Sequence, residues 1–233
     1  IISKYYYCFF ILFIYVTFVK FFYKVISIQC FIMHNSVKNL IYIEELIKSK
    51  VNHNKLTRII AVSKTFPIEN VLPLIEYGQL HFGENKVQEA LDKWSDVKIK
   101  DNAIKLHLIG RLQTNKVKFA LRIFDYIHSL DGEKLATKIS EEQVKQEKKP
   151  KIFIQVNIGN EDQKSGINKD NLADFYKFCK NLNLDIIGTM CIPPNDGNAE
   201  KYFSEMNKIN QELNFKELSM GMSEDYLEAI KNN

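Results

Sequence analysis

The chain has 233 residues, of which 45% are apolar and 26% charged, and this length suits one barrel-sized α/β domain or two small domains. Its formal net charge is only +4 and its lysines are spread among acidic residues without a long basic block, so the electrostatic footprint of a nucleic-acid-binding protein is missing. Of its cysteines, Cys8 and Cys30 lie near the start, Cys179 and Cys191 lie far apart, and no C-x-x-C pair indicates zinc or a redox motif. We therefore expect a protein of the reducing cytoplasm without a bound metal.

Residues 1–32 form a hydrophobic leader with three interpretations. From Tyr5 to Val19 every residue is apolar, aromatic or Thr, which suits a membrane anchor or an uncleaved signal. The run is shorter than the roughly 20 residues that span a bilayer, and no small-residue cleavage site follows it. Because the first Met is Met33 and the leader is dominated by residues whose codons are rich in A and T, we favour translation of upstream non-coding DNA over an anchor or an extra buried element. The predicted folded domain then covers residues 33–233.

From residue 33 onward, predicted helices and strands alternate. A first helix is capped by Ser36, carries apolar residues at helical spacing through Ile47, and ends in the polar segment 52–54. The predicted strands that follow are 58–64, 80–83, 105–110, 126–130, 151–157, 186–192 and 217–220. The predicted helices are 67–77, 85–94, 114–123, 132–148, 170–182, 199–213 and 223–230.

This alternation predicts the fold class. Strand–helix units with short connections predict a parallel sheet, and their even spacing favours a (β/α)8 TIM-like barrel over a doubly wound open sheet. The sequence has seven predicted strands, one fewer than the eight that a closed barrel contains. We therefore expect an α/β barrel that lacks its eighth strand.

The first predicted strand, 58–64, is an apolar run that ends on a lysine. A run without alternation predicts a strand covered on both faces, and its last residue, Lys64, comes to the carboxyl end of the sheet, where ligands bind in α/β folds. Beside low-dielectric walls an amine loses part of its preference for the charged form, and a neutral amine attacks a carbonyl to form a Schiff base. The competing interpretation is a surface lysine whose stem lies along the strand end. The segment alone leaves both open.

Polar groups also follow the carboxyl ends of the other predicted strands, where a barrel places its ligand contacts. They are 81–85, 107–113 with 115–116, 129–131, Asn157 with Glu161, Lys164 and Gly166, 190–194, and 219–223. In segment 219–223 a glycine lies between hydroxyl residues, so backbone N–H groups, hydroxyls and the helix dipole suit a phosphate, although a helix N-cap without a ligand has the same pattern. His81 and His107 each precede an apolar residue within a strand, which favours hydrogen-bonded structural histidines over metal ligands or acid–base groups. Glu84 and Glu161 lack a paired carboxylate and do not indicate a hydrolase.

Seven strings occur in order between residues 40 and 230, namely AVSKT, HFGENKVQE, HLIGRLQTNK, SLD, QVNIGNEDQKSGI, GTMCIPP and LSMGMSEDYLEAI. Together they resemble the pyridoxal 5'-phosphate homeostasis proteins, single-domain relatives of the alanine racemase N-terminal barrel. The resemblance implies a fold-type III barrel that holds pyridoxal 5'-phosphate (PLP) through an internal aldimine on Lys64. It further implies that Asn85 lies along the cofactor and that Ser219, Gly221 and Met222 belong to the phosphate-binding turn.

The end of the chain departs from this family. Relatives continue with a Gly-Ser-Thr turn and a Val-Arg-Ile-Gly strand, which complete the phosphate cradle and place an arginine at the pyridine nitrogen. Neither occurs here, so we expect a chain truncated after Asn233, whose first and seventh strands have unpaired edges that favour aggregation or instability.

The resemblance implies a non-catalytic carrier that buffers PLP and delivers it to apo-enzymes, and we expect a cytoplasmic monomer. The alternative is an amino-acid racemase. In larger relatives, however, the second proton-transfer residue comes from an added C-terminal domain, and an arginine at the pyridine nitrogen weakens the electron sink that most such chemistry requires. A third hypothesis, a membrane-tethered binding protein, requires a genuine leader.

Overall fold

The computed structural model describes residues 33–50, 57–161 and 163–232. The predicted leader, residues 1–32, and the predicted end of the first helix at 52–54 lie outside the described residues. The chain divides after Ile43, and the sheet with the helices that cover it belongs to the unit Glu44–Asn233. In the part of the chain that is described, no helix combines the length and the apolar character that a membrane crossing requires.

Seven parallel strands form one sheet whose spatial order follows the sequence. They are β1 (Ala61–Val62), β2 (His81–Glu84), β3 (Lys105–Leu108), β4 (Tyr126–Leu130), β5 (Lys151–Gln155), β6 (Asp185–Met190) and β7 (Glu217–Ser219). Sequential neighbours without a reversal of order are the topology of a (β/α) barrel, since a doubly wound sheet changes direction at a switch point. The predicted α/β barrel is confirmed, and no eighth strand is found among the described residues.

The predicted helices are also confirmed, with ends that shift by a few residues. They are α1 (Asn35–Lys50), α2 (Ile68–Tyr77), α3 (Val87–Lys100), α4 (Val117–Ile123), α5 (Glu133–Gln146), α6 (Leu172–Asn181), α7 (Ala199–Glu212) and α8 (Tyr226–Lys231). Short 3₁₀ turns, Thr114–Lys116 and Lys169–Asn171, lead into α4 and α6. The C-terminal helix begins at Tyr226 instead of 223 and has only six residues. A helix dipole is therefore a weaker support for a phosphate near Ser223 than the sequence predicted.

The two faces of the sheet are packed differently. The outer face is covered by the helices and carries the main apolar core, in which the rings of Phe82 on β2 and Trp94 on α3 lie 4.9 Å apart. The inner face carries a smaller cluster formed by Tyr126, Phe153 and Met190. Residues that alternate along a strand face opposite sides, so the polar groups that accompany this small cluster lie inside the curled sheet.

The first strand differs from its prediction. Its ladder with β2 contains only two residue pairs, and the side chain of Val62 is 46% exposed, although the apolar run predicted cover on both faces. The reason is position, because β1 is an edge strand of the sheet and pairs only with β2 among the described strands. A salt bridge of 2.8 Å between Arg58, just before β1, and Glu217 on β7 shows that the two edges of the sheet approach each other.

Candidate functional site

Lys64 lies at the carboxyl end of β1. The γ2 methyl groups of Ile60 and Val62 lie 3.1 and 3.5 Å from the position that a Cβ on Gly83 would occupy, so these residues share the inner face of the sheet. Alternation along the strand then directs Lys64 to the same face. The side chain is exposed, so the described residues do not form the low-dielectric walls expected around it. Thr65, directly after it, has a positive φ of 71°, and the chain turns sharply here.

A buried ion pair holds this turn from the outer face. Glu84 accepts hydrogen bonds from the Ser63 hydroxyl at 2.8 Å and from the Trp94 indole at 2.9 Å, and it pairs with Lys93 at 2.6 Å. The Lys93 ammonium also donates to the backbone oxygens of Ser63 at 2.7 Å and Phe66 at 2.9 Å. Lys93 therefore fixes the backbone on both sides of Lys64. The sequence analysis missed this role of Glu84, although a glutamate inside a buried strand followed by a lysine on the next helix was a usable signal.

Asn85 lies at the carboxyl end of β2 and contacts the loop after β3. A Cβ on Gly110 would lie 2.3 Å from the backbone oxygen of Asn85 and 2.8 Å from its Cα, so only glycine allows this approach. The side-chain oxygen Oδ1 of Asn85 is buried, and no described group donates a hydrogen bond to it. A buried acceptor without a partner is costly, which marks Asn85 as a place for a hydrogen-bonding ligand.

The turn after β7 offers fewer donors than predicted. Gly221 has a positive φ of 88° and packs against α8, where a Cβ would lie 2.8 Å from Ala229. The backbone N–H of Met222 is already hydrogen-bonded to the Asp225 carboxylate, and the Met222 side chain is 55% exposed. The prediction that Met222 contributes to a phosphate site therefore loses its main physical support, since a carboxylate occupies that N–H. The Ser219 hydroxyl and the Gly221 backbone remain.

Ser219 ends a chain of histidines on the inner face. His81 Nδ1 lies 2.9 Å from His107 Nε2, His107 Nδ1 lies 2.8 Å from His128 Nε2, and His128 Nδ1 lies 2.7 Å from Ser219 Oγ. Aromatic rings support the chain, because Tyr126 stacks on His107 with centroids 4.1 Å apart. The prediction that His81 and His107 are hydrogen-bonded structural histidines is confirmed, whereas His128 was missed.

The buried members of this chain are neutral. Burial, and after it the neighbouring His128 and His81, lower the pKa of His107 to about 2. Burial lowers the pKa of His128 to about 3. Burial and then the charge of Arg58 lower the pKa of His81, which is only half-buried. At neutral pH His107 and His128 therefore each carry a single ring hydrogen.

Other predicted rim residues stabilise their own loop. Asn157 and Glu161 exchange two side chain–backbone hydrogen bonds of 2.8 and 3.1 Å, and Lys164 pairs with Glu161 at 2.6 Å. Gly166 has a φ of 128° and packs on the backbone of Asn157, where a Cβ would lie 2.6 Å from the nitrogen. These contacts explain the residue types of this segment without a ligand.

Cavities on the surface lie beside the ends of β3 and β4. One of about 450 Å³ opens beside Thr114 and Lys138, and one of about 400 Å³ opens beside Arg111 and Asp131. Neither has Lys64 or Ser219 in its wall. The candidate site is a rim at the carboxyl ends of β1, β2 and β7, with the exposed side chain of Lys64 at one side.

Known proteins resemble this chain in sequence and in architecture. The alanine racemase N-terminal domain family matches residues 43–233. The pyridoxal phosphate homeostasis protein of Pasteurella multocida is 35% identical over 209 residues, which cover 83% of this chain and 90% of that protein. The protein of the same name from Aquifex aeolicus is 36% identical over 184 residues, which cover 75% of this chain and 80% of that protein. This chain belongs to the pyridoxal phosphate homeostasis protein family.

A solved structure supports the same assignment. The structure of PipY from Synechococcus elongatus PCC7942 with PLP bound superposes with a TM-score of 0.72 and 30% sequence identity, over 81% of this chain and 91% of that one. The family resemblance and the fold inferred from the sequence are thereby confirmed. The roles of Lys64, Asn85, Ser219, Gly221 and Met222 stay predictions.

Proposed function

We propose that this protein binds PLP at the rim formed by β1, β2 and β7 and acts in PLP homeostasis. Its relatives are named for that role, and PipY, a protein of the same fold, has a structure with PLP bound. The observation that carries the proposal is the position of Lys64, an accessible amine at the carboxyl end of β1 whose flanking backbone is fixed by Lys93. When bound, PLP supplies an aldehyde that an amine captures covalently.

The residues of the rim fit such a ligand in two further ways. Asn85 has a buried oxygen without a described donor, which suits a hydroxyl group of the ligand. The Ser219 hydroxyl and the backbone at Gly221 suit phosphate oxygens, which accept hydrogen bonds. The carboxylate of Asp225 opposes an anion at Met222, so we assign the phosphate to Ser219 and Gly221 alone.

We further propose that the protein carries PLP to apo-enzymes and does not turn over a substrate. The inner face supports this proposal, because burial lowers the pKa of His107 to about 2 and that of His128 to about 3, far below the operating pH that suits a general acid or base. Incubation with alanine and other amino acids should give no turnover, and measurable racemisation would contradict the carrier role. Transfer of PLP to an apo-enzyme would support it.

Two finer points belong to the same proposal. The described thiols, Cys179 and Cys191, are both free and buried, which fits a reducing cytoplasm. We also propose a monomer, and size-exclusion chromatography with light scattering measures the mass directly. A stable dimer would contradict this part alone.

The role of Lys64 is tested by trapping. Protein loaded with PLP is reduced with borohydride, digested and analysed by mass spectrometry for the modified lysine. We expect the adduct on Lys64 in the unaltered protein, none in Lys64→Ala, and full retention in Lys201→Ala, which removes an exposed lysine of α7 far along the chain. A reducible adduct of unaltered stoichiometry in Lys64→Ala would overturn the assignment.

A further inference from the structure

The histidine chain connects the edge of the inner face to the proposed phosphate site. From one strand to the next, each histidine lies two residues closer to the carboxyl end of the sheet. His107 pairs with Gly83, which is two residues after His81 on β2. Tyr126 pairs with His107 and lies two residues before His128 on β4. Each link joins one nitrogen or oxygen atom to one ring nitrogen at 2.7 to 2.9 Å. A chain of this kind transmits the position of a hydrogen from one end to the other.

While the three imidazoles are neutral, all hydrogen bonds of the chain must run in the same direction. A neutral imidazole has one N–H and one acceptor nitrogen, so a ring that receives a hydrogen bond at Nε2 must donate from Nδ1. In one arrangement His81 donates to His107, His107 donates to His128, and His128 donates to Ser219 Oγ. In the opposite arrangement Ser219 donates to His128 and every link reverses. Mixed arrangements leave two hydrogens or two lone pairs facing each other.

We propose that His81, His107 and His128 are positioning residues that direct the hydroxyl hydrogen of Ser219 toward a phosphate group, an inference that rests on the proposed function. When His128 Nδ1–H donates to Ser219 Oγ, the hydroxyl hydrogen is free to point into the rim, where an anion accepts it. In the opposite arrangement the same hydrogen is consumed by His128 and the phosphate meets a lone pair. A phosphate at Ser219 therefore selects the arrangement that runs from His81 to Ser219.

The same geometry couples the phosphate to the protonation of His81. Protonated His81 carries hydrogens on both ring nitrogens, so it can only donate to His107, and this fixes the whole chain in the arrangement that favours the phosphate. Ligand binding and protonation of His81 thus strengthen each other, and binding raises the pKa of His81. The charged groups that act on His81 come from the segment before β1, from β3, from the residue before β4 and from β7, namely Arg58, Lys105, Asp125 and Glu217.

The first test reads the tautomers directly. In protein labelled with ¹⁵N-histidine, NMR distinguishes Nδ1–H from Nε2–H, and the single variants His107→Gln and His128→Gln assign the signals. With saturating PLP we expect Nδ1–H on both His107 and His128. Nε2–H on either ring in the loaded protein would overturn the inference. In Ser219→Ala, addition of PLP should leave the tautomers unchanged.

The second test measures PLP affinity against pH in a variant that keeps the hydrogen bond but cannot take the proton. His81→Gln serves this purpose, and we follow the ratio of its dissociation constant to that of the unaltered protein from about pH 7.5 to about pH 5.5. The ratio should rise by about 10-fold as the pH falls, which is the lower end of the value of one hydrogen bond to a charged group. The phosphate group of PLP also titrates in this range, but it does so equally in both proteins and cancels.

The control is His34→Gln, the same substitution at an exposed histidine directly before α1, for which the ratio should stay constant. A ratio for His81→Gln that is independent of pH would overturn the coupling.

The outcomes separate the two proposals. If the unaltered protein forms no borohydride-reducible adduct, the proposed function fails and this inference fails with it. If the adduct forms while the tautomers or the ratio disagree, only this inference fails.

Discussion

Removal of one partner of the Lys93–Glu84 ion pair should cost far more stability than the same change in a surface pair. The Lys93–Glu84 and Lys86–Glu89 pairs have the same N–O distance of 2.6 Å, and they differ in burial. In the buried pair the side chains of Lys93 and Glu84 are 12% and 1% exposed, whereas Lys86 and Glu89 are 64% and 50% exposed. Substitution of each lysine by methionine therefore compares the loss of a buried ion pair with the loss of a solvated one.

The expected costs follow from the environment. Lys93→Met leaves the Glu84 carboxylate buried without a counter-ion and removes two hydrogen bonds to backbone oxygens, so we expect a loss of about 3–5 kcal/mol in the free energy of unfolding. Lys86→Met breaks a solvated pair and should cost less than about 1 kcal/mol. Lys93→Met combined with Glu84→Gln should recover part of the loss, because a neutral amide oxygen still accepts from Ser63 and Trp94.

Urea denaturation followed by circular dichroism measures these differences. A stability effect shifts the midpoint at an unchanged slope, whereas a change in slope would indicate a different unfolded or native state. If Lys93→Met costs no more than Lys86→Met, or if the second substitution recovers nothing, the buried pair does not hold the turn that carries Lys64. In that case the explanation of why this turn is fixed would be wrong.

Two further predictions concern Asn85 and the buried histidines. Gly110→Ala places a Cβ 2.3 Å from the backbone oxygen of Asn85, so it should cost about 1–3 kcal/mol of stability and weaken PLP retention. The control is Gly132→Ala, whose Cβ meets no atom within 4 Å. Equal urea midpoints of the two variants would contradict this prediction. Because the pKa of His107 is lowered from 6.5 to about 2 and that of His128 to about 3, the unfolded chain binds protons that the folded chain does not. The free energy of unfolding is then highest above about pH 6.5 and falls toward pH 3 by up to about 1.4 kcal/mol per pH unit for each histidine. Urea midpoints between these pH values should fall less steeply in His128→Gln, and parallel profiles would refute the assignment.

The alternation of apolar runs and helical segments was enough to predict the fold. Each strand was bounded by a turn signal, and in a barrel consecutive strands are neighbours, so chain order alone fixes the order in the sheet. This is why the sequence alone places Lys64, Asn85 and Ser219 at one rim. The burial of β1 was not predictable in the same way, because an edge strand and a central strand can have the same apolar run.

The sequence could not predict the register between the strands. His81 and His107 were recognised as structural histidines, but their link to His128 depends on a two-residue offset at each step between β2, β3 and β4. A shift of one residue in any pair would turn one imidazole to the outer face and break the chain. The usable signal was weaker, namely one histidine on each of three consecutive strands.

Beyond the ends of the β1 ladder, side chains hold the backbone by hydrogen bonds. Only Ala61 and Val62 pair with β2, yet the backbone on either side is also held. The Gln79 amide donates to the oxygen of Ile59 at 2.8 Å, and Lys93 donates to the oxygens after the strand. An edge strand held mainly by its ladder would fray at both ends, because two residue pairs supply few hydrogen bonds. Since these donors come from the loop after α2 and from α3, the position of Lys64 depends on the helices that flank β1 as well as on the sheet.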